Sequence, residues 1–274
     1  MDGTLKMALT ETDLFSKGCY KMFHLAVDDS DIKRKVCFKK VNTLLGATLQ
    51  EAQTPTVSIK TLDELKAFML EYPMVNIDGK GFDTTQAGMK KYNKEIANPT
   101  GWYLSEIGIM ASHYVAWKNF LNTEYEYMLL FEDDVYVDDN FLELFAERYK
   151  ELPSDWEAFY FCTPELNRNA KFMDGADKSI SANLCEPYHY WSSAGYAVSK
   201  SGAAQLVDYV ENKYSMHLPL DWFILQKNAI EKVYSIKPNR AQGCRLVNTE
   251  STYFRKEDKH DLTEFIAKVK SEIL

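Results

Sequence analysis

Residues 127–135 read Tyr-Met-Leu-Leu-Phe-Glu-Asp-Asp-Val, five apolar residues followed by three consecutive carboxylates and a valine. The apolar run, Tyr127–Phe131, is short and lacks polar residues, which predicts a strand that is buried on both faces of a sheet. The three carboxylates would then lie just beyond its carboxyl end, where open α/β sheets bind their ligands. This stretch therefore predicts both a fold class and the position of a binding site.

Strand and helix patterns alternate on either side of this stretch. Further strands are predicted over Tyr20–Val27, Thr56–Ile59 and Phe159–Cys162. A first helix is predicted to run toward Leu45 from a cap near Ser30 or Asp31, and further helices over Thr61–Glu71, Ser105–Leu121, Phe141–Glu151, Ser199–Val210, Trp222–Ile230 and Lys256–Ile273. Thr61 and Glu64 match a capping box at the start of their helix. This alternation predicts an α/β fold whose central sheet is mostly parallel and flanked by helices.

Composition narrows the functional classes. The formal net charge of −8 over 274 residues disfavours a broad surface for nucleic acid or anionic membrane, because both need clustered Lys and Arg. The five cysteines are dispersed and form no Cys-x-x-Cys pair, which predicts a reduced protein without a disulfide framework or a zinc site. The sequence shows no signal-peptide pattern and no apolar run long enough to span a bilayer, so we expect a cytoplasmic location.

The three adjacent carboxylates need something that offsets their mutual repulsion. A bound Mg²⁺ or Mn²⁺ would do so, since both prefer oxygen ligands and are often shared with substrate phosphates. In an extended backbone alternate side chains point the same way, which predicts that Glu132 and Asp134 face one side and Asp133 the other. The alternative is an acidic turn whose carboxylates cap the next helix, near Asp138–Phe141.

Three segments, in order along the chain, make the sequence resemble glycosyltransferase family 25. They are Ser105-Glu106-Ile107-Gly108 with Ser112-His113, Trp117 and the strand ending in Glu-Asp-Asp; Gly195–Ala203 with Pro219-Leu220-Asp221; and Pro238 with Ser251-Thr252. The resemblance covers residues 20–254, and ordered agreement is more specific than any single tripeptide. Ile109 stands where relatives have a cysteine, and His24-Leu25-Ala26 where they usually have Asn-Leu.

The resemblance implies a GT-A fold over residues 19–255, after an extension at 1–18 and before a C-terminal amphipathic helix at 256–274. It also implies a nucleoside-diphosphate sugar donor, for which a UDP-sugar is expected, Mn²⁺ or Mg²⁺ as cofactor, and inversion at the anomeric carbon. The acceptor group would be a hydroxyl of a glycan, of a hydroxylated side chain, or of a hydroxylated base in viral DNA. The sequence does not choose among these, since acceptors bind on variable loops.

Roles for individual residues follow from the same resemblance. Glu132 and Asp134 are the predicted metal ligands, and Asp221 is the predicted base, with an N-cap of the helix beginning at Trp222 as its alternative. Predicted donor-binding residues are Ala26, Val27, Arg34, Glu106, His113 and Asp133. For His113 a buried core histidine is the alternative, and for Arg34 a solvated side chain. His189, Tyr190 and Trp191 are candidates for stacking on a sugar or for core packing.

The sequence is also compatible with two other functional classes of protein. A magnesium-dependent phosphoryl or nucleotidyl transferase would use the same carboxylates, although the sequence has no Gly-x-x-x-x-Gly-Lys phosphate loop. The other is a non-catalytic carbohydrate-binding protein of the same fold. Loss of an acidic residue at position 132 or 134 would favour that class, and both positions are acidic.

Overall fold

The computed structural model describes residues 19–23, 32–45, 57–75, 102–162, 178–187, 193–212, 229–237, 240–247, 259–260 and 263–273. Its described strands are β1 (Cys19–Phe23), β2 (Trp102–Tyr103), β3 (Tyr127–Phe131), β4 (Val135–Val137), β5 (Ala158–Cys162), β6 (Lys178–Ser179), β7 (Leu184–Glu186), β8 (Gly195–Ser199), β9 (Val233–Ile236), β10 (Cys244–Leu246) and β11 (Lys259–His260). Its described helices are α1 (Ile32–Leu45), α2 (Leu62–Glu71), α3 (Leu104–Leu121), α4 (Phe141–Glu151), α5 (Lys200–Asn212) and α6 (Thr263–Ile273). None of the helices in these ranges is long and apolar enough to cross a membrane.

A seven-stranded mixed sheet in the order β1-β3-β8-β5-β9-β7-β6 forms the centre of the fold. Within this sheet β1–β3 and β5–β9 pair in parallel, whereas β3–β8, β8–β5, β9–β7 and β7–β6 pair antiparallel. The α/β class is therefore confirmed, but the prediction of a mostly parallel sheet is wrong. A strand buried on both faces reads as a continuous apolar run in either direction, so the sequence pattern carries no information on strand direction.

Strand β3 lies inside this sheet and is covered on both faces. All five of its residues are buried. Met128 and Leu130 belong to the core that contains α3 and α5, while the alternate residues Tyr127, Leu129 and Phe131 pack in the core that contains α4. Full burial of one such side chain stabilises the fold by about 1.5–3 kcal/mol. The buried strand therefore restricts the position of the residues that follow it.

Helix α3 is tied to the β8–α5 junction at its carboxyl end. The Lys200 ammonium group donates hydrogen bonds to the carbonyl oxygens of Phe120 at 2.9 Å, Leu121 at 3.0 Å and Thr123. Helix carboxyl ends leave carbonyl groups without partners inside the helix, and a cation there also interacts favourably with the helix dipole. Lys200 thus fixes α3 relative to β8, and these two elements supply side chains to the candidate site.

Several other predicted elements are confirmed. The capping box of α2 is formed as expected: the Glu64 N–H donates to the Thr61 hydroxyl at 3.2 Å, and the Thr61 N–H donates to the Glu64 carboxylate at 2.9 Å. The structure also corrects the strand predicted over Thr56–Ile59. Residues 57–60 form no strand, because the Ser112 hydroxyl on α3 accepts the Val57 N–H at 3.0 Å in place of a neighbouring strand.

The C-terminal helix begins later than its pattern predicts. Lys259–His260 pair with Trp102–Tyr103 as β11, so α6 begins at Thr263 and not at Lys256. Its apolar stripe is confirmed for Ile266 and Val269, which are buried in the core with α2 and α3. In the predicted Trp222–Ile230 helix, residues 229–230 are not helical, and the rest lies outside the described residues.

Gly202, in the first turn of α5, packs so closely that we expect Gly202→Ala to destabilise the fold. A Cβ atom there would lie 2.3 Å from the carbonyl oxygen of Glu157. That segment cannot move freely, because the Glu157 carboxylate accepts the N–H groups of Glu231 and Lys232, each at 3.0 Å. Overpacking of this kind costs about 3 kcal/mol, which urea denaturation would measure as a lower midpoint at an unchanged slope.

The control for this prediction is Gly108→Ala in α3. A Cβ atom at Gly108 would come no closer than 3.3 Å to its nearest neighbour. The better helix propensity of alanine, about 1 kcal/mol, offsets so mild a contact. Equal stability of the two variants would contradict the packing that is described for Gly202.

Candidate functional site

The three carboxylates after β3 form a turn that leads into β4. The Val135 N–H donates to the Glu132 carbonyl oxygen at 3.3 Å. Two longer-range bonds hold the turn: the Glu132 N–H donates to the Ala194 carbonyl oxygen at 2.7 Å, and the Val247 N–H donates to the Asp134 carbonyl oxygen at 2.9 Å. We call residues 132–134 the acidic turn. It is fastened to the residues before β8 on one side and to the end of β10 on the other.

The backbone of the acidic turn differs from the extended strand that we assumed, although burial alternates along its three residues. The backbone turns at Asp133 and Asp134, so the extended geometry from which we predicted the directions of the side chains does not apply. Asp133 is only 7% exposed, whereas Glu132 and Asp134 are half-buried. The two residues predicted as metal ligands are therefore the more accessible carboxylates of the turn.

The alternative role of the acidic turn, as a cap for the next helix, is disfavoured by the order of the elements. Strand β4 lies between the turn and α4, and it pairs with β10. The N-cap residue of α4 is Asn140, whose side chain makes no capping hydrogen bond. Asp138, in the segment before the helix, is paired with Arg245. The acidic turn is thus separated from the helix start by a strand with its own partners.

A buried histidine contacts the acidic turn from α3. His113 is fully buried, and its Nε2 atom lies 3.4 Å from Oε1 of Glu132. Its Nδ1 atom lies 2.8 Å from the Tyr196 hydroxyl, which also accepts the indole N–H of Trp117 at 2.9 Å. The Ser193 hydroxyl donates to the same Oε1 of Glu132 at 2.6 Å. Side chains from α3 and from the residue pair before β8 therefore meet at one carboxylate, and Tyr196 of β8 is linked to it through His113.

Burial governs the charge states around Glu132. It lowers the pKa of His113, an effect that the nearby Glu132 carboxylate partly opposes. It also raises the pKa of Tyr196 well above its ordinary value. Both side chains are therefore uncharged near neutral pH. In the described contacts, the Glu132 carboxylate thus meets a neutral imidazole and the Ser193 hydroxyl.

The donor chemistry of the acidic turn suits Mg²⁺ or Mn²⁺, since both metals prefer carboxylate oxygens. In the part of the chain that the structure describes, no group of three or more His, Cys, Asp or Glu side chains is arranged to hold a metal ion. A site built on one or two carboxylates still fits, because Mg²⁺ usually completes its shell with water and substrate phosphates. The turn therefore fits a metal shared with a phosphate-bearing ligand better than a metal held by protein alone.

The other residues predicted for the site are only partly placed. Ala26, Val27, Asp221, His189, Tyr190 and Trp191 lie outside the described residues. Arg34 lies on α1 and Glu106 on α3, but their side chains are not described. Strands β1 and β3 end level, with Phe23 paired to Phe131, and β8 begins beside them with Gly195 paired to Phe131. The acidic turn follows β3 at this edge of the sheet.

Two residues of the site were not predicted from the sequence. Ser193 has no pattern that could have indicated it. Tyr196 lies in one of the segments that carry the family resemblance, but no sequence pattern indicates a role for its hydroxyl. The preceding glycine carries a clearer signal: a Cβ atom at Gly195 would lie 2.5 Å from Cβ of Cys162. A residue without a side chain there lets β8 approach β5 next to the acidic turn.

Comparison with known proteins defines the class of the chain. A family model of glycosyltransferases matches residues 57–224, which is more than half of the 274 residues and includes the acidic turn, His113 and Tyr196. The chain belongs to glycosyltransferase family 25, whose description adds LPS biosynthesis protein. It is therefore a member of a family of sugar transferases.

Curated relatives share part of this region. Procollagen galactosyltransferase 2 of Homo sapiens is 31% identical over 161 residues, which cover 54% of this chain and 24% of that protein. Lipooligosaccharide biosynthesis protein lex-1 of Haemophilus influenzae is 26% identical over 114 residues, 39% of this chain and 37% of that protein. Inactive glycosyltransferase 25 family member 3 of Homo sapiens is 28% identical over 122 residues, 43% of this chain and 20% of that protein. The chain thus spans well under half of each of these relatives.

Among solved structures, an inositol-1-phosphate CTP transferase from T. maritima covers 94% of this chain and 98% of its own. Its sequence identity is 12% and its TM-score is 0.33. A likeness this low does not define the fold or the function.

Proposed function

We propose that this chain is a metal-dependent, inverting glycosyltransferase with a GT-A fold, which moves a hexosyl or pentosyl group from a UDP-sugar to an acceptor hydroxyl. The observation that carries the proposal is the acidic turn after the buried strand β3, in a chain that belongs to glycosyltransferase family 25. Its hydrogen bonds to Ala194 and Val247 make it a fixed group of carboxylates at a sheet edge.

In this proposal Glu132 and Asp134 hold Mn²⁺ or Mg²⁺. The cation, when bound, neutralises negative charge that builds on the departing diphosphate. The Glu132 carboxylate is anchored on its buried side, because the Ser193 hydroxyl donates to it at 2.6 Å and His113 lies beside it. Ligands that are already fixed need little reorganisation as negative charge develops on the diphosphate.

The proposed donor-binding residues act in different ways. Ala26, Val27, Arg34 and Glu106 keep the role that the family resemblance implies, as residues beside the nucleotide sugar. His113 and Asp133 are buried, so they would act through the acidic turn and not by touching the donor. For His113 the two sequence-based alternatives thus merge, since it is a core histidine that also contacts a proposed metal ligand.

Asp221 is the proposed base that removes the proton of the acceptor hydroxyl. An inverting reaction needs a base on the face of the sugar opposite the diphosphate, and a carboxylate engaged with the metal cannot serve there. For the acceptor we propose a glycan or a hydroxylated side chain, by analogy with a lipooligosaccharide biosynthesis protein and a procollagen galactosyltransferase among the relatives. The net charge of −8 disfavours modified DNA as the acceptor.

A non-catalytic role is the second candidate function. It is favoured by the similarity to inactive glycosyltransferase 25 family member 3. Against it, all three positions of the acidic turn are carboxylates, so both proposed metal ligands are present. The two candidates differ in one observable, since a non-catalytic protein would bind a nucleotide sugar without cleaving it.

Donor binding should require a divalent cation, because the two half-buried carboxylates of the acidic turn would repel a diphosphate without one. Calorimetry with UDP-sugars should show binding in the presence of Mn²⁺ and little binding with EDTA. Release of UDP from a panel of UDP-sugars with Mn²⁺ then separates an enzyme from a binding protein. Equal affinity with Mn²⁺ and with EDTA would exclude the metal assignment, and binding without any turnover would favour the non-catalytic role.

A further inference from the structure

We infer that Trp117, Tyr196 and His113 form a buried hydrogen-bond chain that positions the Glu132 carboxylate, so that Tyr196 is a positioning residue of the site. We call these three side chains the Trp–Tyr–His relay. The inference rests on the proposed function for its consequence in metal binding, but its geometry stands on contacts between described residues alone. Neither Trp117 nor Tyr196 has a role in the function proposed above.

The directions of the hydrogen bonds follow from which groups can donate. The indole nitrogen of Trp117 can only donate, so the Tyr196 oxygen, 2.9 Å away, accepts its proton. The Tyr196 side chain is fully buried, and its hydroxyl proton therefore needs an acceptor. Among the described residues the remaining hydrogen-bond partner of this hydroxyl is Nδ1 of His113, at 2.8 Å. The hydroxyl thus donates to Nδ1.

This direction fixes the tautomer of His113. An imidazole nitrogen that accepts a hydrogen bond carries no proton, so the proton of the neutral ring lies on Nε2. The Nε2 atom is the one that lies 3.4 Å from Oε1 of Glu132. The opposite assignment, with a proton on Nδ1, would leave the buried Tyr196 hydroxyl proton without an acceptor in the described structure, which costs free energy. The relay therefore presents an N–H group to the carboxylate.

Rigid elements hold the relay in place. His113 and Trp117 lie one helical turn apart on α3, and Tyr196 is the second residue of β8. The imidazole stacks on the Tyr196 ring with an interplanar angle of 8°. All three side chains are buried, and Lys200 fixes the end of α3 to the start of α5. The carboxylate of Glu132 therefore meets an N–H group whose position is set by a helix and a strand.

Groups that orient a metal ligand commonly change metal affinity by 10–100-fold when they are removed. The substitution that tests the relay is Tyr196→Phe, which removes the hydroxyl and keeps the ring that stacks on His113. The matched control is Tyr114→Phe on α3, the helix that carries His113 and Trp117. The Tyr114 hydroxyl donates to Glu211 at 2.6 Å and not to the relay. Both variants lose one hydroxyl from a buried tyrosine.

Two measurements are made on the full chain. Imidazole ¹⁵N NMR, with the His113 signals assigned by their loss in His113→Gln, reports the tautomer without any metal. Calorimetry with Mn²⁺ and UDP reports metal-dependent binding. We expect the Nε2–H tautomer in the unsubstituted chain and in Tyr114→Phe, and a shift toward Nδ1–H in Tyr196→Phe. The affinity for Mn²⁺ with UDP should fall by roughly tenfold or more in Tyr196→Phe only.

Other outcomes would overturn the inference. An Nδ1–H tautomer or a charged imidazole in the unsubstituted chain contradicts the direction of the relay. A shifted tautomer with unchanged affinity contradicts the positioning of Glu132. If the unsubstituted chain does not bind Mn²⁺ with UDP, the proposed function fails, and positioning is judged by the carboxyl ¹³C resonance of Glu132, which should move in Tyr196→Phe and not in Tyr114→Phe. If Tyr196→Phe does not fold, Trp117→Phe takes its place, with the same changes expected to be smaller.

Discussion

Replacing Asp134 with Asn should lower sugar transfer by at least roughly 100-fold and remove the dependence of donor binding on Mn²⁺. Glu132 and Asp134 of the acidic turn are the proposed metal ligands. Asn would replace one carboxylate with an amide, which is a poorer ligand for Mn²⁺. The melting temperature should stay the same or rise, because the substitution removes one of three adjacent like charges. Turnover, Mn²⁺-dependent calorimetry and thermal unfolding on the same preparation check all three expectations.

Asp139→Asn is the control for this experiment. Asp139 lies five residues farther along the chain, its side chain is 89% exposed, and it pairs with Lys40 at the surface. The same change of charge there should leave transfer and the Mn²⁺ dependence intact, since isolated surface ion pairs contribute little. A similar loss in both variants would mean that net charge, and not the acidic turn, governs donor binding. Full activity of Asp134→Asn would remove this residue from the metal site.

Replacing Asp221 with Asn should lower turnover by roughly 10²–10⁴-fold while donor affinity is retained, if Asp221 is the base. The substitution separates the two sequence-based roles, because Asn caps a helix about as well as Asp. A capping residue would therefore tolerate the change with nearly normal turnover and stability. The measurement is turnover together with donor affinity on the same variant.

The control for Asp221 is Asp208→Asn, a surface carboxylate near the end of α5 that pairs with Asn212. It should retain normal turnover. Near-normal turnover in Asp221→Asn would return Asp221 to the capping role and leave the base to be found elsewhere. A loss of donor affinity in parallel with turnover would also exclude a role as a base alone, since that role acts on the acceptor proton.

Local patterns in the sequence predicted the local parts of this structure. The apolar run of β3 has the bounds that the sequence predicts, and the Thr61–Glu64 capping box forms as expected, because both depend on residues within one element. Strand direction could not be predicted from the sequence pattern. The pairing of β3 with β8 joins residues about 70 positions apart in sequence, and it leaves no periodic signal. The mostly parallel sheet was inferred from the alternation of elements alone, and this inference was wrong.

The candidate site shows the same limit. Three adjacent carboxylates after an apolar strand were enough to indicate where the site lies, since strand ends are where α/β sheets bind ligands. Two other residues of the site were not predictable in this way: Ser193 is 61 positions from Glu132, and Tyr196 is 83 positions from His113. Such contacts depend on tertiary packing, and neither composition nor spacing records them.

The position of β3 between β1 and β8 has a consequence for the order in which the chain can assemble. This strand pairs with β1, far upstream, and with β8, far downstream, and the acidic turn forms hydrogen bonds with residues 193, 194 and 247. A nascent chain that has not yet reached these residues carries the carboxylates without their anchors. Contacts so distant in sequence form late, because the entropy of loop closure opposes them. Tight Mn²⁺ binding would therefore begin only when the sheet is complete. The time at which Mn²⁺ binding appears during refolding would then measure the rate of the last folding steps.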